Sequence, residues 1–241
     1  MPELDDAFLN RVTHDLRGEL ATMVAGVHYL MRYEGGVSAP GRQMLERVER
    51  AGQRLRRLLD ELELGGWIGG ERTADATMIE PCRVEILVHA ALGRLEWLFT
   101  QRATHADLSL PADLPEIEAD PELCGVAIEL IIDFAVSRSP GGSVEITASS
   151  EGGFLTLGVR DHGGAVDPAV LARIFEPFFE RDLVPRPEPG GRRRERLGLG
   201  LSIAYGVARA HGGSLQAAVE GDGITLTLRL RASGCPAAVA V

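Results

Sequence analysis

His14-Asp15-Leu16-Arg17-Gly18-Glu19-Leu20 is the stretch from which the architecture is read. It lies inside a longer run in which Leu9, Val12, Leu16, Leu20, Met23, Val27 and Leu30 recur at steps of three and four. That spacing puts one apolar stripe on an α-helix, expected over residues 5–32. His14 stands two positions before Leu16, about 200° around a helix of 3.6 residues per turn, so it faces away from the stripe. A neutral imidazole held outward beside an acid, Asp15, is a usable nucleophile near neutral pH, since the unperturbed group titrates at about 6.5.

Working outward, a Gly/Ser/Pro connection from Glu34 to Pro40 precedes a second amphipathic helix, expected from Arg42 to Leu64, with Leu45, Val48, Leu55, Leu58, Leu59 and Leu62 on its apolar side. Two long helices and a short connection make an antiparallel hairpin. Each stripe is too apolar for a hairpin alone in water. Two hairpins joined in a four-helix bundle bury both stripes, which predicts a homodimer. The alternative is a hairpin packed on its own downstream domain. Gly65-Gly66-Trp67-Ile68-Gly69-Gly70 and the polar residues to Thr77 read as a hinge or linker.

Composition narrows the function. The chain of 241 residues, 45% hydrophobic, suffices for one large or two modest domains with a real core. No apolar run approaches the roughly 18 residues needed to cross a bilayer. The acidic start, MPELDDAFLN, has no secretory pattern, and Cys82, Cys124 and Cys235 are scattered, which predicts a cytoplasmic, reducing setting and no structural zinc. The six histidines show no HExxH or other metal spacing. A net charge of −10 argues against nucleic acid as a partner. All 25 basic residues are arginine, which excludes a Walker A loop, an ordinary protein kinase and a pyridoxal enzyme, each of which needs a lysine. Asn10 is the only asparagine.

From Ile79 the pattern becomes α+β. Helices are expected at Val84 to Arg102, Pro121 to Ser137, Pro168 to Ile174 and Leu199 to Ala210. Strands are expected at Ala106 to Leu110, Glu116 to Ala119, Val144 to Ala148, Phe154 to Val159, Gly213 to Val219 and Ile224 to Leu230. Strands in hairpins with helices on one face predict a two-layer sandwich. The Pro/Gly/Arg-rich segment from Arg181 to Arg196 and the tail from Ala232 read as irregular.

Three local patterns carry chemistry. Asp161-His162-Gly163-Gly164-Ala165 follows a strand; its Asp can accept from an exocyclic amine, and the small residues let a flat ring approach the backbone. Leu197-Gly198-Leu199-Gly200-Leu201-Ser202-Ile203 opens a helix, where backbone N–H groups and the helix dipole favour phosphate. Between them lies the aromatic cluster Ile174-Phe175-Glu176-Pro177-Phe178-Phe179.

In this order and spacing the chain resembles the transmitter core of sensor histidine kinases, in the GHKL ATPase superfamily. HDLRGEL is similar to the family's H-box, DHGGA to its first glycine box, IFEPFF to its F-box, and RLGLGLSI with His211-Gly212-Gly213 to its second glycine box; the resemblance covers residues 5–231. It implies a dimerisation and histidine-phosphotransfer hairpin at 1–64, a Gly-rich linker at 65–78, an ATP-binding Bergerat-type two-layer α/β sandwich at 79–231 and a flexible tail at 232–241. The implied activity is two-component signalling: ATP phosphorylates His14, with Asp15 orienting or deprotonating the ring, and the phosphoryl group passes to an aspartate of a response-regulator receiver domain. The implied cofactors are ATP and Mg²⁺. The implied partners are a receiver domain, a second copy of the chain and a separate sensory protein, with no membrane insertion.

The implied nucleotide site comprises Glu129, Asp133, Arg138, Asp161, Gly163, Ala165, Phe175, Gly198 and Gly200, with Asp133 and Glu129 at the metal. Departures from the family pattern are concrete. Its N-box carries N-x-x-x-N; here Glu129 and Asp133 take those places, with one extra residue before Ser139-Pro140. Ala165 and Arg196 each replace a glycine. Gly18 and Glu19 stand where Thr or Asn and then Pro are usual, which implies little phosphatase activity. These departures predict weak, Mg²⁺-dependent ATP binding. They also keep open an ATP-independent histidine phosphotransferase, or a pseudokinase scaffold for receiver domains.

Overall fold

The computed structural model describes residues 6–33, 37–49, 52, 55, 78–164, 166–179, 183–184 and 198–233. The chain divides into two compact units, Met1–Glu71 and Arg72–Val241.

In the first unit the predicted helix forms as α1, Asp6–Tyr33. A second helix, α2, covers 39–49, with 52 and 55 also helical; the expected remainder to Leu64 and the 65–77 linker lie outside the described residues. The two helices meet through His28, whose ring bonds the Glu49 carboxylate, and through Gly52, where a Cβ would lie 2.5 Å from Val24. Among the stripe residues whose side chains are described, Leu20 and Val27 are buried, at 4% and 8% exposure. Leu16, Met23 and Leu30 remain 48%, 62% and 41% exposed, as do Met44 and Leu55 on α2 at 57% and 45%. One antiparallel partner covers a narrow seam of a broad apolar face and leaves the rest to water.

The second unit is an α+β sandwich. Its order is β1 (Glu80–Cys82), α3 (Val84–Arg102), β2 (His105–Ser109), β3 (Ile117–Ala119), α4 (Pro121–Arg138), β4 (Ser143–Glu151), β5 (Phe154–Arg160), α5 (Pro168–Leu171), α6 (Gly200–Ala210), β6 (Ser214–Glu220) and β7 (Gly223–Arg231). The main sheet runs β2-β4-β5-β7-β6. Alternation along β5 buries Leu155, Leu157 and Val159, and along β7 buries Leu226, Leu228 and Leu230, so one sheet face is apolar. Against it lie Ile128 and Ile131 of α4 and Leu201 and Ile203 of α6, with α3 packed on α4. Each such side chain contributes about 1.5–3 kcal/mol on burial.

Three expectations are corrected. The sheet is mixed, because β2 pairs parallel with β4, from His105↔Ser143 to Ser109↔Thr147. A strand not foreseen, β1, pairs antiparallel with β3 in a separate two-stranded sheet. The helix expected to reach Ile174 stops at Leu171 and gives way to turns, because Ile174 is drawn fully into the core.

Capping fixes where α4 begins. Asp120 accepts hydrogen bonds from the Glu122 and Leu123 N–H groups, and Pro121 occupies the first turn. The helix then runs unbroken to Arg138. Burial pushes the Cys124 thiol on its inner face up to about 12, so that sulfur is inert near neutral pH.

Candidate functional site

The site forms where α4 ends, β5 ends and β7 begins. Asp161 leaves β5 at 1% exposure. Its N–H donates to the Ile224 carbonyl at 3.0 Å, and its Oδ1 accepts from the N–H groups of Gly163 at 2.9 Å and Ile224 at 3.4 Å. The loop can pass only because two glycines give it room. A Cβ on Gly223 would lie 1.6 Å from the Asp161 carbonyl oxygen, and one on Gly163 would lie 2.3 Å from the Arg138 carbonyl oxygen.

Arg138, the last residue of α4, reaches into this turn at 3% exposure. Its Nε donates to Asp161 Oδ2 at 2.8 Å, and its two terminal nitrogens donate to the carbonyls of Leu183 at 2.7 Å and Gly164 at 2.6 Å. The guanidinium carbon lies 5.8 Å from the centre of the buried Phe134 ring. Two charges withdrawn from water cost several kcal/mol, and the five hydrogen bonds around the pair offset that cost. Beside it the His162 N–H donates to the Ser139 hydroxyl, and the His162 ring bridges Glu145 and Asp222 at 3.1 Å each. That contact holds the exposed Asp222 carboxyl below its ordinary value.

The second half lies at the start of α6. Gly198 has φ +81°, a left-handed conformation, and a Cβ there would lie 2.9 Å from the Phe178 carbonyl oxygen. The Phe178 N–H donates to the Gly198 carbonyl at 2.7 Å, and Phe178 itself has φ +69°. Leu199 stands at the N-cap and supplies no side-chain cap. Gly198, Leu199 and Gly200 are all buried. A helix N-terminus wrapped by glycine backbone favours an anion through oriented N–H groups and the dipole. Phe175 stacks on Tyr205 of α6, with ring centres 5.1 Å apart, tying the aromatic cluster to that helix.

The structure therefore gathers Arg138, Asp161 and Gly163 at one end, and Gly198 and Gly200 with the Phe175–Phe178 turn at the other. It does not gather Glu129. That carboxylate is bonded to Arg94 Nε of α3 at 2.6 Å. By helix geometry Glu129 stands about 180°, and the half-buried Asp133 about 140°, around α4 from Arg138. The residues one and two turns before Arg138 on its own face are Phe134 and Leu130. α4 runs unbroken, so on its Arg138 face the two positions four residues apart are Leu130 and Phe134 rather than Glu129 and Asp133. Among the described residues no group of three or more His, Cys, Asp or Glu is arranged for a metal ion. The side chains of His14 and Asp15, and the whole of Ala165 and Arg196, lie outside the described residues. Gly164 falls inside the small-residue pattern after β5, whereas Phe134, Leu183 and Gly223 carry no functional signal in the sequence.

Comparison with known proteins agrees with this geometry. Residues 119–234 match the family described as histidine kinase-, DNA gyrase B- and HSP90-like ATPase. The chain is 30% identical to the sensor histidine kinase RppB of Synechocystis over 92% of its own length and 48% of that protein. It is 29% identical to the sensor-like histidine kinase SenX3 of Mycobacterium tuberculosis, over 93% and 53% respectively. The chain thus spans about half the length of these curated relatives. Its fold is similar to that of full-length ShkA solved in complex with AMPPNP, with a TM-score of 0.73, 22% identity, and coverage of 94% of this chain and 46% of that one. It is also similar to the Acinetobacter baumannii histidine kinase AdeS, with a TM-score of 0.61, 17% identity, and coverage of 92% and 98%. With the glycine-lined start of α6, the Asp161 turn and the helical hairpin on one chain, the protein belongs to the histidine kinases as a transmitter core, and its residues 119–234 to their ATPase family.

Proposed function

We propose that the chain acts as a cytoplasmic two-component histidine kinase: His14 receives a phosphoryl group from ATP and passes it to an aspartate of a response-regulator receiver domain. The observation that carries this reading is the start of α6, where Gly198 at φ +81° lets buried backbone wrap a helix N-terminus. ATP supplies the phosphoryl group. Gly198, Leu199 and Gly200 would hold its phosphates, and Asp161 is the acceptor for its amine. His14 supplies the nucleophilic nitrogen and Asp15 the adjacent carboxylate that orients the ring or takes its proton. We assign no protein ligand to Mg²⁺, because Glu129 is committed to Arg94; the ion would enter with the triphosphate. The apolar faces left exposed at Leu16, Met23, Leu30, Met44 and Leu55 support a homodimer through the hairpin. No helix among the described residues is long and apolar enough to cross a membrane.

The test is labelling with ATP carrying a radioactive γ-phosphate. Wild type is expected to acquire acid-labile, base-stable label, and His14→Ala to acquire none. Label that survives in His14→Ala overturns the assignment. One observation favours a second reading, an ATP-independent phosphotransferase or scaffold: the Asp161 carboxylate is already taken by Arg138. A receiver domain charged with acetyl phosphate would then label His14 without nucleotide.

A further inference from the structure

Asp161 has the chemistry to receive a base amine, yet its oxygens are occupied from within the chain. Oδ1 takes the N–H groups of Gly163 and Ile224, and Oδ2 takes Arg138 Nε. At 1% exposure the carboxylate offers no further donor a route while Arg138 stays. The guanidinium resembles the displaced group, since both are planar, sp² nitrogen donors. It is also fixed by two more acceptors, the carbonyls of Gly164 in the glycine turn and Leu183 beyond the aromatic cluster. Its position at the C-terminus of α4 adds a favourable dipole term. At the phosphate end the described residues present glycine backbone, at Gly198 and Gly200.

We propose that Arg138 is the specificity-determining residue of the nucleotide site: its guanidinium stands in for the exocyclic amine at Asp161, so the base is read only when Arg138 leaves. This rests on the nucleotide reading above. A triphosphate then binds the resting protein through its phosphate end, and its 6-amino group adds little. Departure of Arg138 exposes three acceptors together, Asp161 Oδ2 and the Gly164 and Leu183 carbonyls, and unties the two loops that carry those carbonyls.

The experiment is calorimetry on the full chain with ATP and with inosine triphosphate, which carries an oxygen in place of the 6-amino group. Wild type should bind the two within about threefold, whereas Arg138→Ala should prefer ATP by about tenfold or more, the worth of one hydrogen bond to a charged acceptor. Arg138→Gln, which keeps one donor near Asp161, is run beside it, and thermal melts identify which variant is folded. On wild type, the Arg138 Nε–H resonance is followed by NMR during ATP titration, and it should keep the hydrogen-bonded position set by Asp161 as ATP saturates. A tenfold ATP preference in wild type, with His14 labelled from ATP, overturns the proposal and leaves the kinase reading standing. So does a folded variant with no gain in preference, or a wild-type Nε–H resonance that leaves its hydrogen-bonded position at saturation. If neither wild type nor a folded variant binds either triphosphate, the proposal and the ATP-dependent reading fall together.

Discussion

At Asp161 a carboxylate 1% exposed meets an arginine 3% exposed, with five hydrogen bonds closing the pair. At Gly198, in the same domain, the chain instead presents backbone with no side chain at all. The first arrangement specifies by filling, and its energy sits in a charge pair that is costly to break. The second specifies by leaving space, and its energy sits in a backbone conformation that only glycine adopts cheaply. The lesson is that two parts of one candidate site can be specified by opposite means, a filled carboxylate at one and bare backbone at the other.

The largest expected effect tests the filled end. Arg138→Ala leaves the Asp161 carboxylate buried without its cation and should cost about 3–5 kcal/mol of stability, measured by urea unfolding. The double variant Arg138→Ala with Asp161→Ala should recover part of that loss. A single-variant cost near that of an exposed pair, below about 1 kcal/mol, would erase the contrast. The open end should respond less. Gly198→Ala places a Cβ 2.9 Å from the Phe178 carbonyl oxygen at φ +81° and should cost about 1–3 kcal/mol, while weakening triphosphate binding more than it weakens folding. A substitution neutral in both measurements would show that this turn is not under the constraint described.

The smallest effect belongs to the exposed charges beside Asp161. The bond from His162 holds the Asp222 carboxyl below its ordinary 3.8. A depressed carboxylate stabilises the fold above its unfolded value, and the contribution is lost as pH falls through the lower, folded value. NMR titration of Asp222 should therefore show a midpoint under 3.8, and Asp222→Asn should change the melting temperature less than Gly198→Ala does. A midpoint at or above the ordinary value would remove the His162 bond from the picture.

Much of this fold could be read from local pattern. The alternation in β5 and β7 and the capping pair Asp120-Pro121 each state their own structure. The parallel pairing of β2 with β4 could not be read, because it joins segments separated by β3 and α4 and leaves no trace in either strand. Nor could β1, whose Glu80-Pro81-Cys82 has no alternation and owes its form to β3. In the site, the glycine turns at 161–164 and 198–200 were legible because glycine reports a backbone demand. Motif spacing brings Glu129 to the site by counting residues, whereas a helix counts angle, and its carboxylate is turned to Arg94. A shift of one residue turns a side chain by about 100°, enough to exchange a charged face for Leu130 and Phe134. The family resemblance places Arg138 in the nucleotide site, but no local pattern reveals that its partner is a carboxylate.

His211 has a mechanical consequence. It closes α6, where its Nδ1–H donates to the Val207 carbonyl at 2.8 Å, and its Nε2 accepts the Asp120 N–H at 3.0 Å, at the very start of α4. The two helices that deliver the two ends of the site are thus fastened together at the ends remote from it. The same two helices also pack directly on each other, so the pin and the packed side chains together hold the spacing between Arg138 and Gly200.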